Sequence, residues 1–187
     1  MIELEPPIND ETIRSLNAGD LVYITGKIYT ARDAAHKKLA ELVEAGKKLP
    51  FDFNGHIVFY AGPAPAKPGR PIGSIGPTTA GRMDLYAPLL ISKGLKVMIG
   101  KGLRSREVVD AIVAHNGIYF AAAGGVAALM AKCVEEAKLI AFEELGTEAV
   151  RELVVEKLPV IVAIDSRGKN LYESGRLKYS KKTGIES

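Results

Sequence analysis

Leu95–Ala122, LKVMIGKGLRSREVVDAIVAHNGIYFAA, decides the fold class. Lys96–Ile99 is a short apolar strand. Ser105 then offers a hydroxyl to the free N–H groups of a first helical turn, which makes it an N-cap. The helix it opens runs to His115, and Val108, Val109, Ile112 and Val113 recur at helical spacing as its inner face. Gly117 ends that helix, and Ile118–Ala122 is a second apolar strand. A strand, a helix and a strand in direct succession point to an α/β domain.

Downstream, Ala123–Val134 reads as a small-residue helix opened by Gly124-Gly125. Lys138–Phe142 reads as a strand, Thr147 as the cap of a short helix, and Leu158–Ile164 as the last buried strand. A turn follows at Arg167–Asn170, and the polar tail beyond Arg176 is expected to be mobile. Upstream, Asp84–Lys93 is helical and closed by Gly94. Before it lies Gly62–Gly81, GPAPAKPGRPIGSIGPTTAG, dense in the residues that punctuate helices and strands. Irregular stretches of roughly 20 residues inside a domain are usually functional or disordered.

Earlier still, His56–Ala61 is a buried strand. Asp20–Tyr29 is a strand pair or a bulged strand, because Gly26 interrupts its apolar run. Thr30 and Asp33 have the spacing of a capping box, so a helix starts there. It runs to about Ala45 with Gly46 at C′, and Ala35, Leu39, Leu42 and Val43 form its buried stripe. The first half is the richer in strands. The expected architecture is a single α/β domain over residues 1–187, a barrel-like β layer beside an α/β layer.

Composition narrows the function. The chain has 187 residues, 47 % of them apolar and 25 % charged, which suits a soluble globular domain. No apolar run approaches the roughly 18 residues of a membrane span. The acidic, Pro-containing Met1–Asp10 is no signal peptide, so a cytoplasmic address is expected. A net charge of +3, spread along the chain, gives no reason to expect nucleic acid. The single cysteine, Cys133, cannot by itself hold an iron–sulfur cluster or a structural zinc. The three histidines show no ligand spacing, so no metal site is expected in this chain.

Three motifs carry candidate chemistry. Gly76–Asp84, GPTTAGRMD, places two hydroxyls and Arg82 at the start of a helix, where free N–H groups attract anions and an arginine fork matches a carboxylate. It is not a P-loop, because Arg82-Met83 stands where Lys-Ser/Thr is required. The alternative is a Gly-rich turn with capping threonines. Thr30–His36, TARDAAH, puts Arg32 in a first helical turn, against the helix dipole, although a solvated arginine beside Asp33 explains it as well. Ile99–Arg104, IGKGLR, sets Lys101 between glycines beyond a strand, where α/β sheets gather ligands; it is equally a turn lysine. Ala122–Ala128, AAGGVAA, allows close backbone approach to a ligand or a neighbouring chain, although tight internal packing is the preferred reading. Together Arg32, Arg82 and Lys101 suit a small polyanion such as a dicarboxylate.

TGKIYTARDAAHKKL, HIVFYAGPAPAKPGRPIGSIGP, GPTTAGRMD, MIGKG and AAAGGVAAL, in this order and spacing, resemble the C-terminal or β-subunit region of class I fumarate hydratases and L-tartrate dehydratases. The resemblance covers Asp20 to Tyr172. It implies a swivelling β/β/α domain working with a larger α subunit or region that holds a [4Fe–4S] cluster. The chain's own Met just before the β region matches the two-subunit form, inactive without its partner. The resemblance further implies that Thr78 is the catalytic base and that Arg32, Arg82 and Lys101 bind the substrate carboxylates. The implied reaction is reversible hydration of fumarate to malate; dehydration of tartrate or another hydroxydicarboxylate is the alternative. A non-catalytic dicarboxylate-binding module stands as the alternative of another class. Self-association of the isolated chain as a homodimer also stays open.

Overall fold

The computed structural model describes residues 2–180. Its centre is a closed five-stranded barrel. Four strands, β2 (Leu21–Thr30), β3 (Ile57–Phe59), β4 (Val97–Gly100) and β5 (Ile118–Ala121), run parallel in that order. The long β7 (Val150–Ile164) closes the ring antiparallel to both β2 and β5. A short β1 (Ile2–Leu4) extends β2 in parallel, and β6 (Val134–Ala141) pairs with the first half of β7. The barrel-like β layer is therefore closed.

Alternation along the short parallel strands sorts their side chains. Ile57, Phe59, Val97, Ile99, Ile118 and Phe120 point into the barrel with Ile24, Ile28, Leu153 and Val162. Val58, Met98 and Tyr119 face outward, where α2 (Asp33–Glu44), α3 (Ala87–Ser92) and α4 (Arg106–Ala114) cover them. Parallel strands buried on both faces read as continuous apolar runs for this reason. Two short helices complete the near end of the chain and the turn after β5: α1 (Asp10–Ser15) and α5 (Ala127–Met130). A last helix, α6 (Leu171–Ser180), follows the turn after β7. The tail expected to be mobile beyond Arg176 starts within α6, and its remainder lies outside the described residues.

Several local readings hold. Ser105 caps α4 by accepting from Val108 N. Gly46 stands at C′ of α2, with Lys47 N bonded to Leu42 O and Gly46 N to Val43 O, a Schellman closure. Asp20–Tyr29 is one bulged strand, its register shifting between Ile24 and Gly26. Other readings change. Thr30 is no cap: it ends β2, and its hydroxyl accepts from Arg151 N across the sheet. The N-cap of α2 is Arg32, and the carboxylate serving that end comes from Glu148, which accepts from Ala34 N at 3.0 Å. Ala123–Val134 holds only α5 and a 3₁₀ turn, and the expected helix after Thr147 is instead the start of β7. The left-handed residue closing α4 is Asn116, one position before Gly117.

The interior of a closed barrel cannot collapse around a deletion. Ile99→Ala is expected to cost about 2–5 kcal/mol, and Leu85→Ala, at an 82 % exposed position, to stay within about 0.5 kcal/mol. Urea titration of both variants measures this; equal losses would mean that the interior is not packed as described.

Candidate functional site

The parallel strands deliver their carboxyl ends to one end of the barrel, the place where open and closed α/β sheets bind ligands. Arg32 follows β2, Gly62 follows β3, Lys101 follows β4, and Gly124 follows β5. The loop from Gly62 to Gly81 lies across this end. It is irregular but pinned: Ala64 N donates to Ser74 O, Ile75 N to Ala127 O, and Ile72 and Ile75 are buried.

The loop returns beside β4. Thr78 N donates to Tyr60 O at 2.7 Å, Lys101 N donates to Thr78 O at 3.3 Å, and Ala80 N donates to Lys101 O at 2.8 Å. Lys101 is thereby bonded between Thr78 and Ala80, with Thr79 as its direct partner across the bridge. A 3₁₀ turn, Ala80–Met83, then carries Arg82. On the far side of Lys101 lies Gly124, where a Cβ would come within 3.7 Å of Lys101 Cδ and 4.0 Å of Nζ. The small residues of that turn leave room for the lysine.

Arg82 reaches back to the start of α2. Its Nε lies 2.7 Å from Asp33 Oδ1. Arg32 joins the same group, with Nη2 3.8 Å from Asp33 Oδ2 and 3.6 Å from Glu148 Oε1. Gly62 makes space for it, because a Cβ there would stand 2.8 Å from Arg32 Cδ. The four residues singled out from the sequence are thus joined into one constellation: Thr78 to Lys101 by backbone, Arg82 within the same turn, and Arg32 through Asp33. Three cations face two carboxylates, Asp33 and Glu148, so the face keeps a positive balance that favours anions.

Beneath it lies a buried ion pair that the sequence reading did not single out. The Arg104 side chain is fully buried, with Nε donating to Asp84 Oδ1 at 2.7 Å. Asp84 Oδ2 accepts from Ser105 N at 2.5 Å. The guanidinium lies over Tyr60 and Tyr119, at 5.3 and 5.0 Å from their ring centres. Asp84 ends the Arg82 turn and Arg104 ends the Lys101 loop, so this pair holds the two segments together. Two tyrosines clasp Gly102: Tyr119 donates to its carbonyl at 3.2 Å, and its N–H donates to the Tyr172 hydroxyl at 3.0 Å. Burial raises the Tyr60 and Tyr119 hydroxyls above their ordinary range, although nearby Arg104 pulls the other way. The visible signal was Asp84 and Arg104 closing their respective Gly-rich motifs.

His36 packs edge-on against Tyr60, ring centres 4.9 Å apart. Its Nδ1 lies 3.0 Å from Arg32 O, a carbonyl that can only accept, so Nδ1 carries the proton. Burial holds the imidazolium form down to a pKa of about 4, with the Arg104 charge adding to the effect and the Arg32 carbonyl opposing it. His36 is a neutral structural group.

A four-iron cluster does not fit these residues. It needs several thiolates, Cys133 is the single cysteine, and among the described residues no three His, Cys, Asp or Glu side chains group to hold a metal ion. Of the four site residues only Arg82 is exposed; Arg32, Thr78 and Lys101 are half-buried. The two grooves flanking the loop, of about 340 and 370 Å³, are lined by residues such as Lys67, Arg70, Lys132 and Arg151, not by the four site residues. No helix among the described residues is long and apolar enough to cross a membrane.

Comparison with known sequences decides the family. The fumarase C-terminus model matches residues 1–175. The chain belongs to the fumarase C-terminus family. It is 44 % identical to the anaerobic class I fumarate hydratase of Escherichia coli K12 over 80 % of its own length and 28 % of the enzyme's. To "Fumarate hydratase 2" of Leishmania major it is 38 % identical, over 91 % of this chain and 31 % of that protein. It is 40 % identical to a Methanocaldococcus jannaschii protein named "Putative L(+)-tartrate dehydratase subunit beta", over 94 % of this chain and 93 % of that one. This fumarase C-terminal chain therefore spans less than a third of the two fumarate hydratases and nearly all of the subunit.

Two outcomes follow for the fumarase C-terminal chain. Asp84→Ala leaves Arg104 buried and unpaired, so it should cost about 3–5 kcal/mol, whereas adding Arg104→Met should recover most of the loss. A double-mutant cycle in urea measures it; additive losses would show that the two do not act as a pair. The unfolded chain protonates His36 near pH 6.5, but the folded chain does so only near 4. Stability should therefore fall as pH drops through that window, by on the order of 3 kcal/mol from this residue. His36→Gln should flatten the slope of stability against pH, and an identical slope would rule His36 out as its source.

Proposed function

We propose that this chain is the β subunit of a two-subunit iron–sulfur hydro-lyase that reversibly hydrates fumarate to malate. The [4Fe–4S] cluster belongs to the partner α subunit, and this chain supplies the base and the carboxylate-binding cations. The observation that carries the reading is the joining of Thr78, Lys101, Arg82 and Arg32 at one end of a fumarase-family barrel.

Each residue has work suited to its chemistry. Arg82 meets Asp33 through Nε, and the remaining edge of its guanidinium offers the planar fork that matches a substrate carboxylate. Arg32 binds the second carboxylate. Held at both ends, the substrate sits in one near-attack pose. Thr78 takes the C3 proton of malate in the dehydration direction and returns it in hydration. A hydroxyl is a weak base at neutral pH, and the positive charge of Lys101 and Arg82 favours its alkoxide. Arg82 is the exposed member of the set, and a partner that covers it would exclude water from the site.

A second reading keeps the chemistry and changes the substrate to L-tartrate. It is favoured by the end-to-end match to the M. jannaschii protein.

The test is an anaerobic assay of fumarate and tartrate turnover by this chain, by a cluster-loaded α-subunit candidate, and by the two mixed. Turnover only in the mixture is the expected result, and the preferred substrate chooses between the readings. Failure of the mixture on both substrates, with the cluster intact, would sink both. In the active mixture, Thr78→Val should lower kcat by about 10²–10⁴-fold; a retained kcat would remove Thr78 as the base. Arg82→Lys keeps the charge but loses the fork, and kcat/KM should fall by about tenfold or more.

A further inference from the structure

We propose that Asp33 is a positioning residue that sets the spacing and aim of the two arginine forks, with Glu148 steadying Arg32 from its other side. The proposal rests on the hydro-lyase reading and deepens it, because it names what prepares the site for a dianion.

Arg32 and Arg82 come from different parts of the chain, the turn after β2 and the 3₁₀ turn after the long loop. Asp33 is the group that meets both. Oδ1 lies 2.7 Å from Arg82 Nε, and Oδ2 lies 3.8 Å from Arg32 Nη2. Each of these contacts fixes a different property. The short contact at Nε turns Arg82 side-on to Asp33, which leaves its terminal nitrogens for another anion. The looser contact restrains Arg32 without using its full donor set; Arg32 Nε and Asp33 Oδ2 are both buried without a hydrogen bond.

Arg32 is held from three further directions. Gly62 lies directly under its side chain. Glu148 Oε1 is 3.6 Å from Nη2, while Oε2 accepts from Ala34 N at 3.0 Å. The Arg32 carbonyl accepts from His36 N at 2.7 Å and from His36 Nδ1 at 3.0 Å. Asp33 itself opens α2, where the positive end of the helix favours a negative charge. The unit therefore has one carboxylate between two guanidinium groups, on a rigid helix start. Without that charge the two cations repel each other and lose their common reference. A dicarboxylate engages both forks at once, whereas a monocarboxylate engages one, so the spacing that Asp33 sets distinguishes the two classes.

The test uses Asp33→Asn, which keeps the shape and removes the charge, and Asp33→Glu, which restores it. In the isolated full chain, the arginine Nε–Hε signals are followed by ¹⁵N NMR. Asp33→Asn should shift the signals of both Arg82 and Arg32, and Asp33→Glu should bring the Arg82 signal back toward its wild-type position. In the assembled enzyme, Asp33→Asn should raise KM for the dicarboxylate by about 10- to 100-fold, with kcat changed by less than about threefold. Unmoved Arg82 signals with a lowered Tm would show that Asp33 serves only the helix start, and would overturn the proposal. So would moved signals with an unchanged KM. If the wild-type assembly turns over neither fumarate nor tartrate, the hydro-lyase reading fails by itself. The signals then decide the coupling: movement of both arginines supports it, and movement of neither overturns it.

Discussion

Strand β7 bonds to β2 along one edge and to β5 along the other, and the rest of the molecule depends on that closure. Four parallel strands alone would form an open sheet with β2 and β5 at its distant edges. Joined through β7, they form a ring whose carboxyl ends converge. Arg32, at the end of the first barrel strand, then lies in the same face as Lys101 and the Gly124 turn. Closure also creates an inside and an outside, each needing its own apolar set. The alternation of Ile57, Val58 and Phe59 supplies one residue type to both. The same closing strand lies next to Glu148, so the arm that seals the barrel brings in the carboxylate that caps α2 and meets Arg32.

Two ion pairs divide the work at the site. Asp84–Arg104 is out of water, flanked by aromatic rings and hydrogen-bonded to the Ser105 backbone. A pair of this kind contributes little net stability compared with apolar packing, but it tolerates few alternative arrangements. It fixes the Arg82 turn against the Lys101 loop. Asp33–Arg82 lies at the surface, with the Arg82 side chain 52 % exposed. The Asp33 side chain is only 26 % exposed while Arg82 faces water, so an incoming carboxylate can reach the arginine without displacing the aspartate. A rigid pair below and an adaptable pair above suit a site that must be aimed before substrate arrives.

Legibility followed the range of the interactions. The caps at Ser105 and Gly46 were readable because each is satisfied within one helical turn. The bulge in β2 was readable because a lone glycine interrupts an apolar run. Thr30 and Asp33 misled, because the spacing of a capping box says nothing about a carboxylate more than a hundred residues away, and Glu148 is the group that serves the helix. Thr30 turned instead to Arg151 across the sheet. The 15-residue β7 looks in sequence like a helix followed by a short strand, since its exposed and buried positions change partners along its length, from β6 and β2 to β5 and β2. The run after Gly124 has helical composition but only one turn of α-helix, because its backbone must meet the long loop at Ile75.

Local periodicity and motifs that survive as strings were enough for the class of fold, the strand–helix alternation and the family. It also named Thr78, Arg32, Arg82 and Lys101, because each stands in a short, distinctive pattern. That Arg32 and Arg82 share Asp33, that Arg104 is buried against Asp84 and that β7 closes the ring emerges in the folded molecule alone. Those contacts join segments from 20 to more than a hundred residues apart. No local pattern encodes them, because the energy that selects them exists only once the barrel has brought the segments together.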